Sequence, residues 1–329
     1  MPLPPAHDFF SRGVSRFRRS MGCSRPGRLG QVMRALWSVV ALVCVTSACA
    51  GRTPVPSSAP APGLIWSSRA QQAVSFDEMI ATLESMNVVY LGERHDRPED
   101  HRVQTRIYKA LSRRLAHPSL GFEMFQRPFQ PALDRWSAGE IDEAEMLVQT
   151  EYAKRWGYDF SLYRPLLLEA KRRNAPLIAL NAAAELTRTV ARGGIEALSP
   201  EQRASLPELD LGQLRHRDLV LAALREHEGV TEEMLENFYA AQVIWDETMA
   251  LGVAQALSRE DIGSVVVIAG MMHVWEGLGI PERAARRGAT PYATVLVMDA
   301  NNPEIRLDGS MGTWPADYLW FVEDALTNE

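Results

Sequence analysis

Cysteine is the first absence. The chain has 329 residues and three cysteines, Cys23, Cys44 and Cys49, all within the first fifty positions. With no thiol after residue 49, the body of the protein has no disulfide framework, no Cys-ligated zinc site and no cysteine nucleophile. Long apolar runs are missing too. The run near the N-terminus, Ala35 to Val45, falls short of the roughly 20 residues that a bilayer-spanning helix takes. There is no internal repeat and no excess of positive charge: 35 Lys and Arg stand against 41 Asp and Glu, a formal net of −6. That sign argues against nucleic acid as a partner. What is present, 46% hydrophobic residues over this length, is enough for one large domain or two small ones.

The start of the chain reads as processing sequence. Arg34 precedes the apolar run, and Thr46-Ser47-Ala48-Cys49 follows it. A positive start, a short apolar core and small residues before a cysteine resemble a bacterial lipoprotein signal. Residues 1–48 are then a signal peptide and Cys49 the lipidated residue. Thr46 departs from the leucine usual three places before that cysteine. Met21 and Met33 are alternative starts, because the first twenty residues are long and arginine-rich for a signal. Loss of residues 1–48 removes seven arginines and one aspartate, leaving 28 basic and 40 acidic residues, a net of −12. Ala50, in place of an aspartate, points to a lipid anchor in the outer membrane, with the body facing the periplasm or the cell surface. An uncleaved membrane anchor is the alternative. Residues 49–64 are rich in Pro, Ala and Ser and read as a tether with nothing to bury.

Residues 65–329 read as one α/β domain. Apolar runs at Val88–Leu91, Leu120–Met124, Leu177–Leu180, Val265–Ala269 and Ala293–Met298 have the length and composition of buried strands. Tyr318–Val322 reads as a strand closing an edge. Helical patterns separate them, beginning with Glu99–Leu115, whose stripe is Val103, Ile107, Ala110 and Leu111. The pattern is that of a mostly parallel sheet flanked by helices. Two insertions, near 129–156 and 183–256, are helical throughout and read as a smaller all-helical subdomain or cap. The second holds Leu211–His227 and the longest amphipathic stretch, Glu232–Leu257.

Reactive side chains recur where strands end. Val88–Leu91 runs into Gly92-Glu93-Arg94-His95-Asp96, with His101 a turn into the next helix. Pro98 looks like the first helical residue, with Asp96 as its cap. The next strand runs into Glu123, another into Asn181, and Val265–Ala269 runs into Gly270-Met271-Met272-His273. If the strands are parallel, Glu93, His95, Glu123, Asn181 and His273 converge on one edge, where ligands of open α/β sheets bind. Gln242 and Asp246 share a helix face at a spacing of four. His117, His216 and His227 lie in polar sequence and receive no role.

These motifs, together with Phe122-Glu123-Met124-Phe125, Tyr163-Arg164-Pro165, Ala241-Gln242, Trp245-Asp246-Glu247-Thr248-Met249-Ala250, Ala269-Gly270-Met271-Met272-His273-Val274 and Pro315-Ala316-Asp317-Tyr318, resemble the ChaN family. That family comprises haem-binding lipoproteins of the Tiki/erythromycin-esterase superfamily. The resemblance runs in order from about Ser75 to the C-terminus. It implies a parallel α/β sheet with a smaller helical part, outer-membrane attachment and a role in haem iron uptake. It also implies a homodimer enclosing two stacked haems, with a tyrosine on iron and a histidine from the second subunit nearby. Met271-Met272 stand where the family usually has a Gly-Asn or similar pair, which removes a polar group from the crevice.

Two chemistries follow. For haem, Tyr158 and Tyr163 are the candidate iron ligands, since a phenolate oxygen suits ferric iron. Arg164 is placed to meet a propionate or favour the phenolate, Trp156 and Phe160 to contact the porphyrin, and His101 or His95 to serve a second subunit. For a metal-dependent hydrolase, an esterase or peptidase, Glu93 acts as general base with Glu123 as second carboxylate. His95, His273 and Glu93 then hold a divalent ion, or the histidines stabilise an oxyanion. A third reading is a structural lipoprotein with a vestigial crevice.

Overall fold

The computed structural model describes residues 60–225, 230–302, 305–307 and 311–323; Cys49, the signal segment and most of the tether lie outside them. Eight strands form one sheet: β1 (Ile65–Ser67), β2 (Gln72–Val74), β3 (Val88–Glu93), β4 (Pro118–Gln126), β5 (Leu177–Asn181), β6 (Ser264–Gly270), β7 (Tyr292–Asp299) and β8 (Tyr318–Val322). Their order across the sheet is β2-β1-β8-β7-β3-β6-β4-β5. The six strands from β8 to β5 are parallel, and β1 and β2 add an antiparallel edge.

Helices cover both faces, which is why the parallel strands are apolar without interruption. Alternate residues of β6 serve opposite layers: Val266 and Ile268 pack beneath the early helices, Val265, Val267 and Ala269 beneath the late ones. The first layer contains α1 (Phe76–Leu83), α2 (Pro98–Leu111), α3 (Gln130–Ala138), α4 (Glu143–Gln149), α5 (Tyr152–Arg155) and α6 (Phe160–Arg172). The second insertion supplies α7 (Ala184–Gly193), α8 (Pro200–Ala204), α9 (Leu214–Arg225) and α10 (Glu232–Leu257), followed after β6 by α11 (Ile280–Ala285). Two small helical cores form there, one around Val190, Ala241 and Ile244, the other around Val220, Leu235 and Tyr239.

The residues of α10 correct the reading of that helix as amphipathic. Tyr239 to Ile244 and Asp246 to Ala250 are buried without a break, so the helix is enclosed on nearly every side. Its first half packs in the helical cores, and Met249, Ala250 and Val253 pack on the sheet. Two further corrections concern order and ends. Tyr318–Val322 is interior, flanked by β7 and β1, because the short Ile65–Val74 hairpin, too brief to show as a pattern, takes the edge. Helix α2 starts at Pro98 with Arg97 as its cap position and no side-chain cap, so Asp96 does not cap it.

Gly92 is required by close approach. A Cβ there would overlap Leu296 of β7 and lie 3.2 Å from Cα of Met271. Met271 itself is buried in the apolar layer with Val274 and Leu296, away from any polar opening. Met271 therefore fills core volume, while its neighbour Met272 is only partly buried.

Candidate functional site

The adjacent strands β3, β6 and β4 end side by side, and the groups that follow them form two linked buried networks. Glu93 is the last residue of β3 and is 2% exposed. Its Oε1 accepts from Tyr163 Oη at 2.5 Å and from His95 Nδ1 at 3.0 Å. Its Oε2 faces His101 Nδ1 at 3.4 Å, and His101 Nε2 donates to the His95 carbonyl at 3.1 Å. Trp156 Nε1 donates to Tyr163 Oη at 3.2 Å. Burial raises the Glu93 carboxyl, but the neighbouring His101, His95 and Tyr163 outweigh it and hold it below the usual carboxylate range. Burial beside that carboxylate pushes the Tyr163 phenol well up.

The second network starts at Glu123 on β4. Its Oε2 accepts the Gly270 N–H at 2.6 Å and its Oε1 lies 3.2 Å from His273 Nε2. His273 Nδ1 lies 2.5 Å from Asp246 Oδ1 and 3.0 Å from the Gln242 amide. Asp246 Oδ2 then faces His216 Nε2 at 3.3 Å, and His216 Nδ1 lies 3.4 Å from Tyr239 Oη and 3.3 Å from Arg283 Nη2. Arg283, wholly buried, pairs with Glu247, which also takes Arg286 at 2.8 Å and Arg287 at 2.6 Å. Burial disfavours the His273 cation, yet the Glu123 and Asp246 charges outweigh it and raise the ring to about 10. In return, against the same burial, His273 draws Glu123 down to about 2 and Asp246 far below the carboxylate range.

His95 joins the two networks. Its ring packs against Trp156 and Tyr158, with centroids 4.8 and 5.0 Å apart. A Cβ on Gly270 would lie 2.8 Å from His95 Cε1, 2.9 Å from Nε2 and 3.5 Å from Glu123 Oε2, so only glycine lets β6 meet the ring. Burial opposes its charge, but the Glu93 bond and the Glu123 and Glu93 carboxylates raise it above its ordinary value. Such a ring can hold a proton between two carboxylates.

The sequence-predicted residues divide accordingly. Glu93, His95, His101 and Tyr163 meet in one network; Glu123, His273, Gln242 and Asp246 meet in the other. Asn181, at the end of β5, is turned inward on its own chain, its Oδ1 accepting the Ala182 N–H at 2.9 Å. His216, which its polar sequence context leaves without a role, is 2% exposed and carries the network onward from Asp246, a correction to that reading. Tyr239 and Arg283 gave no signal, because their partners come from distant segments.

The surroundings of the expected site residues bear on their roles. With both ring nitrogens facing carboxylates, the His273 imidazolium keeps no lone pair for a metal and no spare N–H for an oxyanion. Glu93 is enclosed and accepts hydrogen bonds from Tyr163 and His95 on Oε1, which leaves little room for a water as the general-base reading needs. Among the described residues, no group of three or more His, Cys, Asp or Glu side chains is arranged to hold a metal ion. Tyr163, 1% exposed, has its hydroxyl engaged with Glu93 and Trp156, and His101 is 3% exposed. Neither presents a ligand to the surface. Arg164 is exposed and paired with Glu143 at 2.8 Å.

Tyr158 differs from Tyr163. It is half-buried, and although its hydroxyl is buried its ring lines a surface depression of about 820 Å³ with Leu147, Val148, Lys154, Phe160 and the acidic Glu151 and Asp159. Val148 there is 75% exposed, an apolar side chain left in the open.

A family model described as haem-binding uptake, Tiki superfamily, ChaN, matches residues 79–284. The structure of ChaN of Campylobacter jejuni, described as showing cofacial heme binding, is similar in fold, with a TM-score of 0.60 and 18% identity. The match covers 78% of this chain and 95% of that one. Protein RETICULATA-RELATED 5, chloroplastic, of Arabidopsis thaliana is 26% identical over 260 residues, 73% of this chain. The match covers 34% of that protein, so the chain spans about a third of its length.

Proposed function

This chain belongs to the ChaN family of the Tiki superfamily, and from that membership we propose that it binds haem on the face that carries Tyr158. The observation that supports this most is the depression itself: a half-buried tyrosine ring beside the exposed Val148, with Leu147 and Phe160 contributing apolar surface and Lys154, paired with Glu151 at 3.4 Å, a cation. Those donors fit haem. Tyr158 would hold the iron, the apolar side chains would take the porphyrin face, and Lys154 would meet a propionate. Haem, when bound, supplies a ferric centre for which phenolate is a hard-donor ligand. Tyr158 reaches the depression with its ring while its hydroxyl is buried. Trp156 and His95 pack against that ring at 5.7 and 5.0 Å, so ligating iron would take a turn of the side chain toward the opening.

The wider reading is an outer-membrane lipoprotein, acylated at Cys49 and acting as a homodimer in haem iron uptake. A surface depression that opens outward suits a ligand shared between two copies, because each copy covers only one side of it. Mixing the purified full-length chain with hemin tests the central claim. A shifted Soret band is expected, lost in Tyr158→Phe and kept in Tyr163→Phe. No spectral change in the unmodified chain overturns it.

A further inference from the structure

We propose that the groove between α2 and α6 binds the phosphate-bearing headgroup of an anionic membrane lipid. The groove measures about 710 Å³. Its rim carries Arg102, Arg106 and Lys109 on one face of α2 and Arg113 just past the end of that helix, all exposed. No carboxylate lines it. In a chain with more acid than base, this is a concentrated cationic strip. Phe76, Leu162 and Pro165 give the groove apolar walls.

The partners of the four cations point the same way. Arg106 lies over the rings of Phe76 and Trp320, 4.4 and 5.2 Å from their centroids, held by stacking. Lys109 and Arg113 form no ion pair among the described residues. Arg102 pairs with Glu99, which together with Glu323 lines a neighbouring depression and not this one. Several unneutralised cations above an apolar wall suit an anion joined to a hydrocarbon: phosphate to the rim, first methylenes to the wall.

Chain geometry supplies the source of that lipid. Pro62 and Gly63 line the neighbouring depression with Arg102 and Arg106, so the tether enters the body beside the cationic strip. From Cys49 to Pro62 the chain reaches at most about 45 Å. The inference rests on the anchored reading above for this step: acylation at Cys49 brings this face to the bilayer.

The test is flotation of the full-length chain with vesicles of phosphatidylcholine, with or without phosphatidylglycerol. The measured quantity is the preference for anionic over neutral vesicles, since the apolar segment 35–45 meets both alike. Lys109→Gln/Arg113→Gln should cut that preference about thirtyfold. Raised salt should weaken it as well. The same charge change at Arg188→Gln/Arg192→Gln, on exposed positions of α7, should leave it intact. An unchanged preference in the groove variant overturns the proposal. So does full displacement by inorganic phosphate, which would make free phosphate the ligand. Failure of haem binding would appear as a missing Soret shift with the lipid preference retained, and failure of lipid docking as the reverse.

Discussion

At the scale of single residues, the site depends on what is missing from Gly270. A side chain there would enter the His95 ring, and that ring cannot step aside because Glu93, Trp156 and Tyr158 hold it on three sides. Gly270→Ala should therefore cost about 1–3 kcal/mol, the range for overfilling a packed site. Thermal unfolding of Gly270→Ala, alone and in a His95→Ala background, reads the cause. The penalty should shrink sharply once the ring is gone. An equal penalty in both backgrounds would show that backbone conformation, not the ring, makes the glycine necessary. The sequence exposed the residue types at these strand ends, since Glu93, Glu123 and His273 each follow an apolar run. It concealed their protonation. Whether a histidine is a base, a ligand or a fixed cation depends on what faces its second nitrogen, and for His273 that group is Asp246, 27 positions away.

Elements show the same division between local and distant information. Strand composition is local, so the six parallel strands were legible, and the helix Glu232–Leu257 has the bounds read from the sequence though not the amphipathic character. Strand order is not local. Nothing in Tyr318–Val322 says that Ile65–Ser67 will lie beside it. The turn from β3 to α2 is a sharper case. Asp100 looks in sequence like an acidic residue complementing a helix start. In the fold it is fully buried and reaches back, accepting the Arg94 N–H at 2.8 Å and its guanidinium at 3.0 and 2.7 Å. It thereby fastens the loop that carries His95. Removing one partner of a buried pair typically costs 3–5 kcal/mol, and this pair is buried on the aspartate side with Arg94 only partly so. Asp100→Ala should thus lose about 3 kcal/mol in denaturant unfolding, with faster hydrogen exchange at the Arg94 amide. A loss below about 1 kcal/mol would mean the loop is held by something else.

At the scale of the molecule, the Glu123–His273–Asp246–His216 chain ties the sheet to the helical part: Glu123 sits on β4, His273 follows β6, Asp246 rides on α10 and His216 on α9. The helix α10 packs on both halves, so its buried charge lies at their junction. That arrangement gives stability an unusual pH dependence. The folded carboxylates are depressed, so their contribution is present above the ordinary carboxylate range and lost as pH falls toward 2. The folded imidazole is raised to about 10, so its contribution is full below its ordinary value near 6.5 and drains away as pH rises from there toward 10. Both describe one set of contacts and are not additive. Stability should therefore peak between about pH 5 and 6.5 and decline steadily on the alkaline side by a few kcal/mol. Asp246→Asn lowers the whole curve and flattens its alkaline limb, because the ring loses the charge that held its proton. Melting temperatures of both proteins from pH 5 to 10 decide the matter. A wild-type profile level between pH 7 and 10, or an alkaline slope unchanged in Asp246→Asn, would remove His273 as the group that joins the two halves by charge.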